Sequence, residues 1–188
     1  MAAAPAWAQL AGGKVVVGQA TISSPVPGRT VIQQTTGKAL YTWQNFSIPS
    51  GSAVSFVQPG ASSIAMNRVI GGSASVIAGS LSSNGQVWLV NRAGITTSAG
   101  AHISVAGLIL STADMSDDNF KNGNYLFDRP GDPGAAISNA GHIDATGGSA
   151  ILAGEHVGNS GVIEARLGSV VLGGAKTYAV DFTGDGLL

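Results

Sequence analysis

The sequence predicts an all-β fold, a parallel β-helix solenoid of about 20 residues per coil with an N-terminal cap and an extra-helical excursion. Three observations lead there. The first is an internal repeat. Asn139-Ala140-Gly141-His142-Ile143-Asp144-Ala145, followed by Gly148-Ser149-Ala150-Ile151-Leu152-Ala153-Gly154, returns 20 residues later as Asn159-Ser160-Gly161-Val162-Ile163-Glu164-Ala165 and Gly168-Ser169-Val170-Val171-Leu172-Gly173-Gly174. A unit this short cannot bury an apolar face alone, so its copies must stack. The second is composition: 28 glycines and only 10% charged residues in 188 suit short strands joined by tight turns and suit long helices badly. The third is punctuation. Apolar runs at 14–18, 30–33, 53–57, 86–90, 102–110, 150–153 and 169–172 are bounded by Gly, Asn, Ser or Pro, as strands are.

Taken in chain order, Ala6-Trp7-Ala8 before Gln9 has the small-x-small form of a signal-peptide end. Residues 1–8 are therefore read as a signal-peptide remnant or an artificial start, and residues 9–188 as one domain. Asn84-Gly85-Gln86-Val87-Trp88-Leu89-Val90-Asn91 is a strand with a turn at each end. Val87 and Leu89 alternate inward, and Gln86, Trp88 and Val90 outward. Asn84-Gly85 is read as a turn in which both residues accept positive φ, and Asn91 as a corner residue whose amide satisfies free backbone groups. Residues 114–133 break the pattern. They hold five aspartates, with Phe120, Tyr125 and Phe127 interleaved, and are read as an excursion that covers the outward Trp88 rather than leaving it as a binding anchor. In the repeats, Ile143, Ala145, Ala150 and Leu152 point inward beneath Ile163, Ala165, Val170 and Leu172, and Asn139 stacks under Asn159 as an amide ladder. Chain length over the period gives about eight to nine coils, with Val87, Leu89, Ile143, Leu152, Ile163 and Leu172 buried.

Several functions are disfavoured. The net charge is −1 with no basic run, which argues against nucleic acid and anionic membrane surfaces as partners. No apolar run reaches 18 residues, the length of a spanning helix. With no cysteine there is no disulfide framework. Phosphate-binding glycine loops are absent. His102, His142 and His156 lack metal-ligand spacing; at most His142 and His156 approach each other on neighbouring coils. Asp144 and Glu164 stack about 5 Å apart on one outer face, but no row of Lys or Arg accompanies them as an acidic-glycan site would need. Asp117-Asp118 and the Asp181 to Gly186 stretch do not have the spacing of a Ca²⁺ loop. No catalytic residue, cofactor or metal is assigned.

The stretches Phe56-Val57-Gln58-Pro59, Asn67-Arg68-Val69-Ile70-Gly71-Gly72, Ile77 to Asn91, Gly107 to Asp114 and Val180 to Leu188 resemble the haemagglutination-activity, or two-partner-secretion, domain of filamentous-haemagglutinin-type exoproteins. The resemblance covers residues 14–188. It implies a right-handed β-helix and no enzymatic activity. It also implies secretion or surface display through the periplasm after a Sec-type signal, and a TpsB-type outer-membrane barrel as partner, which recognises the chain through its POTRA domains. The chain would cross unfolded and fold outside as a monomer, without stable membrane insertion. Asn67, Arg68, Asn84, Gly85, Asn91, Gly94 and Ile95 occupy the family-motif positions for recognition and folding nucleation. The family's Asn-Pro-Asn-Gly-Ile reads here Asn91-Arg92-Ala93-Gly94-Ile95, so the turn carries over better than any contact role. The competing readings are a polysaccharide-active β-helix enzyme and a free-standing adhesive solenoid. The latter in its ice-binding form would show a long threonine array, which is missing.

Overall fold

The structure, a computed structural model, describes residues 10–181 and contains 20 strands and one short helix among them. The expectations for residues 1–8, and for Asp185 and its neighbours, lie outside the described residues. The strands form a triangular stack. The first sheet runs β1 (Lys14–Val17), β4 (Lys38–Trp43), β6 (Ile64–Val69), β9 (Gln86–Asn91), β12 (Gly107–Ser111), β16 (Ala150–Gly154) and β19 (Val170–Gly174). The second runs β2 (Ala20–Val26), β3 (Arg29–Gln34), β5 (Ala53–Val57), β8 (Ser80–Ser83), β11 (His102–Val105), β15 (His142–Ala145) and β18 (Val162–Ala165). The third is narrower, with β7 (Ser75–Ile77), β10 (Ile95–Thr97), β14 (Ala136–Asn139) and β17 (His156–Asn159).

From β3 onward the pairing in all three sheets is parallel, each strand lying on the same part of the preceding coil. Within these three sheets only the first two strands run against their neighbours: β1 pairs antiparallel with β4 and β2 with β3. They form the expected N-terminal cap, closing the end where the first coil has no predecessor.

Register turns the alternation into ladders. Val54, Leu81, Ile103, Ile143 and Ile163 lie one above another inside the second sheet. In the first sheet Leu89, Leu110, Leu152 and Leu172 do the same. Val87, Leu89, Ile143 and Leu152 are fully buried, and each such aliphatic side chain contributes roughly 1.5–3 kcal/mol by leaving water.

Two expectations need correction. The solenoid has about 7 turns, not eight or nine, at about 22 residues per turn. The strict 20-residue step holds from Ile143 to Ile163, but it is 22 from Leu81 to Ile103 and 40 from Ile103 to Ile143, and the cap takes up chain without making a coil. Leu172 faces inward in register with Leu152, yet it is 48% exposed. Its strand belongs to the last described coil, so it is covered from one side only. Ile163 is partly buried for the same reason.

The 40-residue step is the excursion. Twenty-four residues (112–135) separate β12 from β14, where three (92–94) separate β9 from β10. Helix α1 (Asp117–Asn122) starts at Ser116, whose side chain accepts from Asn119 N, and ends at Gly123 with φ 75°, a left-handed cap that glycine adopts without strain. Next, β13 (Leu126–Phe127) pairs antiparallel with β20 (Tyr178–Ala179). The excursion lies over the outer side of the first sheet, where Leu40, Met66, Trp88, Ile109 and Ile151 form a second apolar ladder. Phe120, Phe127, Ala113 and Met115 close it into a second core. Trp88 is covered, as expected, at 0% exposure: its ring meets Tyr125 and Phe120 edge-on at 4.8 and 6.0 Å.

The two leucines of one ladder should respond very differently to a charge. Leu152→Asp places an unpaired carboxylate in the core and should lower stability by about 3 kcal/mol or more. Leu172→Asp should cost less than about half of that, because its carboxylate stays hydrated. Thermal melts of both variants check this; equal shifts of the midpoint would contradict the one-sided covering of Leu172.

Candidate functional site

The seven motif residues cluster on the coils that carry β6, β8, β9 and β10, and their side chains work mainly on the chain itself. Asn67 lies in the inward row of β6, directly above Tyr41 and below Leu89. It is fully buried. An amide survives there because every polar atom is matched: Trp43 Nε1 donates to its Oδ1 at 3.0 Å, and its Nδ2 donates to Ala65 O and Trp88 O at 3.1 and 3.3 Å. Alternation along the strand turns the next residue outward. Arg68 Nε lies 2.9 Å from Asp114 Oδ2, Nη1 2.6 Å from Asp117 Oδ1, and Nη2 donates to Met115 O at 2.8 Å. Burial works against the charge on Arg68, but the Asp114 and Asp117 carboxylates outweigh it and raise its pKa above the ordinary value.

Asn84 binds the coil below like a strand. Its Oδ1 accepts from Gln58 N and its Nδ2 donates to Gln58 O, both at 2.7 Å. Gly85 departs from the expectation. It does not take positive φ; a side chain is excluded because a Cβ would lie 2.4 Å from Gln58 Oε1 and 2.9 Å from Gly60 O. The glycine is needed for close approach of neighbouring coils, not for a left-handed turn.

The corner after β9 is as expected. Asn91 is buried, donates through Nδ2 to Ser73 O and Ser75 Oγ at 3.0 and 2.9 Å, and accepts from Ala93 N at 2.9 Å. Gly94 N closes the turn on Asn91 O at 3.0 Å. Asn at the first position and Gly at the fourth suit a type I turn, and Gly94 has φ 115°. Ile95 then enters the core at 1% exposure. Arg92 reaches the excursion: its Nε donates to Pro130 O at 3.0 Å and its Nη2 lies 3.4 Å from Asp132 Oδ1.

Sequence reading missed a polar ladder at the opposite corner. Gln34 Oε1 accepts from Tyr41 Oη at 3.2 Å and from Gln58 Nε2 at 3.3 Å, and Ser83 Oγ donates to Gln58 Oε1 at 2.6 Å. Burial pushes the Tyr41 phenol well above its usual range. Two glutamines 24 residues apart were the available signal. The Asn139–Asn159 ladder forms as expected, Nδ2 to Oδ1 at 2.7 Å, and continues to Thr97, whose hydroxyl donates to Asn139 Oδ1.

The second sheet carries His102, His142, Asp144 and Glu164 in its outer rows. Asp144 and Glu164 are register neighbours, as expected. A basic residue does accompany them: Arg166 Nε lies 3.4 Å from Asp144 Oδ1. The histidine expectation was misplaced. His102 stacks on His142 with ring centroids 5.2 Å apart, while His156 sits on β17 opposite Ala136. Among the described residues no group of three or more His, Cys, Asp or Glu could hold a metal ion, and no helix is long and apolar enough to cross a membrane.

The chain is similar in sequence and fold to known proteins. The crystal structure of the HMW1 secretion domain from Haemophilus influenzae matches with a TM-score of 0.84 and 36% identity, covering 90% of this chain and 46% of that one. The filamentous hemagglutinin secretion domain matches with a TM-score of 0.67 at 18% identity, over 92% of this chain and 65% of that one, a likeness of fold. Two curated relatives, heme/hemopexin-binding proteins of H. influenzae and of its strain ATCC 51907 / DSM 11121 / KW20 / Rd, are 40% and 42% identical over 116 residues. The chain covers only 12% and 13% of their length. The family model for the TPS secretion domain matches residues 9–185. With that match running over nearly the whole length, the chain belongs to the TPS secretion domain family.

Proposed function

We propose that residues 9–188 are the N-terminal secretion domain of a large exported protein of the adhesin, haemolysin or toxin type. A TpsB-type outer-membrane barrel recognises it in the periplasm through POTRA domains, and it nucleates β-helix folding outside the cell. The observation that carries this reading is the family match over residues 9–185, joined to the 36% identity with the HMW1 secretion domain. The heme/hemopexin-binding relatives make heme or hemopexin binding one candidate activity of the rest of such a protein. The domain itself acts as a monomer and binds no cofactor.

The placement of the motif residues favours the folding half of this role. Asn67, Gly85, Asn91, Gly94 and Ile95 are buried, and Asn84 and Arg68 are engaged within the chain. Side chains occupied in this way build the first coils. The transporter meets the chain while it is extended, before these bonds form. Neither competing reading gains an observation: Asp144 and Glu164 lie on an open sheet face, and no cluster of basic side chains surrounds them.

Two outcomes follow. Asn91→Ala removes three side-chain hydrogen bonds at a buried corner and should cost about 2 kcal/mol. If the corner nucleates the stack, refolding should slow and exported yield should fall in proportion, with unfolding little changed. Gly85→Val should be worse, through its clash with Gln58. Unchanged refolding rates would leave Asn91 a turn residue only. Recognition of the extended chain is tested by locking it folded. Ser82 and Ser104 are outward register partners on adjacent coils, at a spacing a disulfide spans. Ser82→Cys/Ser104→Cys should accumulate in the periplasm when oxidised and be secreted when reduced. Normal secretion of the oxidised form would overturn the export reading.

A further inference from the structure

The excursion does more than cover Trp88, because it touches coils that do not touch each other. In a plain solenoid each coil contacts only its neighbours, so stability is a sum of local terms and the ends can open independently. Here the excursion leaves the stack after β12. It then reaches back to β4, where Lys38 Nζ lies 3.5 Å from Phe120 O and 5.1 Å from the Tyr125 ring centroid. It meets β6 through Arg68, β9 through Trp88, and the turn after β9 through Arg92. It also reaches forward, where Phe127 stacks on Tyr178 at 4.6 Å and β13 pairs with β20.

Its two feet are held by two arginines. Asp114 and Arg129 close the neck by a pair of backbone bonds, Asp114 N to Arg129 O at 2.8 Å and Arg129 N to Asp114 O at 3.0 Å. Arg68 grips the entry side of that neck at Asp114, Met115 and Asp117. Arg92 grips the exit side at Pro130 and Asp132, and Asp132 N donates back to Arg92 O at 2.9 Å. All three nitrogens of Arg68 find partners in residues 114–117, some 46 to 49 positions along the chain, and its side chain is only 12% exposed. A guanidinium fork matched to two carboxylates and a carbonyl is geometrically demanding in a way an ammonium is not.

We propose that Arg68 and Arg92 form a two-point latch that makes the solenoid from β4 to β20 one all-or-none folding unit, closed only when residues 112–135 have arrived. Arg68 is the principal, positioning element, acting through the excursion. Arg92 is the lesser, since both it and Asp132 are half exposed. The inference is independent of the transporter reading: it concerns how the described coils are coupled and holds whatever recognises the chain.

Hydrogen exchange on the whole chain, read peptide by peptide with increasing urea, tests it. In the unaltered protein, peptides from β4–β6, from 112–135 and from β16–β20 should converge on one common opening. Arg68→Gln should split them: the excursion and β20 peptides should exchange at least about tenfold faster than those of β4–β6, the loss expected for charge-assisted bonds. Arg68→Lys should rescue only part of the difference, and Arg92→Gln should split the peptides less. Should Arg68→Gln fail to fold, Asp117→Asn, which removes one prong at a 38% exposed partner, should give the same split at smaller amplitude. The latch is overturned if the variants exchange faster uniformly with no split, or if the unaltered protein already shows the split. Full rescue by Arg68→Lys would also overturn it, reducing the residue to a local charge.

Discussion

A sheet with apolar side chains on both sides cannot leave either side in water, and the first sheet is of that kind. Along β12 and β16 every residue is buried. Inward rows make the solenoid core, and Leu40, Met66, Trp88, Ile109 and Ile151 make an equally apolar outer row. Several hundred Å² of such surface would be an association hazard if left uncovered. The excursion, the β13–β20 pair and the arginines at the neck are all consequences of that constraint. The second sheet, whose outer face carries Ser55, Ser82, Ser104, Asp144 and Glu164, needs no cover and has none among the described residues.

Corners impose the complementary constraint. Where a strand bends into the next sheet, backbone groups leave their ladder inside a stack that excludes water, and an unmatched group there is costly. The chain meets this with neutral amides. Asn91 and Asn139, the last residues of β9 and β14, are both buried and each bonds to backbone as well as to side chains. An amide both donates and accepts, so one residue type can serve every coil and stack on its own kind. Charges would have to be desolvated in rows of one sign, which helps explain why only 10% of the chain is charged.

These features agree with the needs of a secretion domain. Stability comes from stacking and hydrogen bonds that can form late, with no cysteine to lock the chain early. A bare solenoid could fray from either end. The antiparallel cap of β1 and β2 closes one end, and the excursion ties early coils to later ones.

The sequence by itself determined the periodic part. A 20-residue repeat with fixed alternation is enough to set which residues of the last two coils face inward, because strand geometry leaves only two faces. It also determined the Asn91 turn and the Asn139–Asn159 ladder, whose chemistry is local or one period away. Tertiary structure decided whatever depended on partners without a period. Leu172 has an inward address, but burial is set by what lies above it. Gly85 reads as a turn glycine, yet its constraint is the Gln58 side chain of another coil. Arg68 reads as a motif position, and only the fold shows its charge spent on Asp114 and Asp117. His102 stacks on His142 across a 40-residue step, because the 24-residue connection, against three residues one coil earlier, breaks the count by which sequence spacing measures distance in a solenoid.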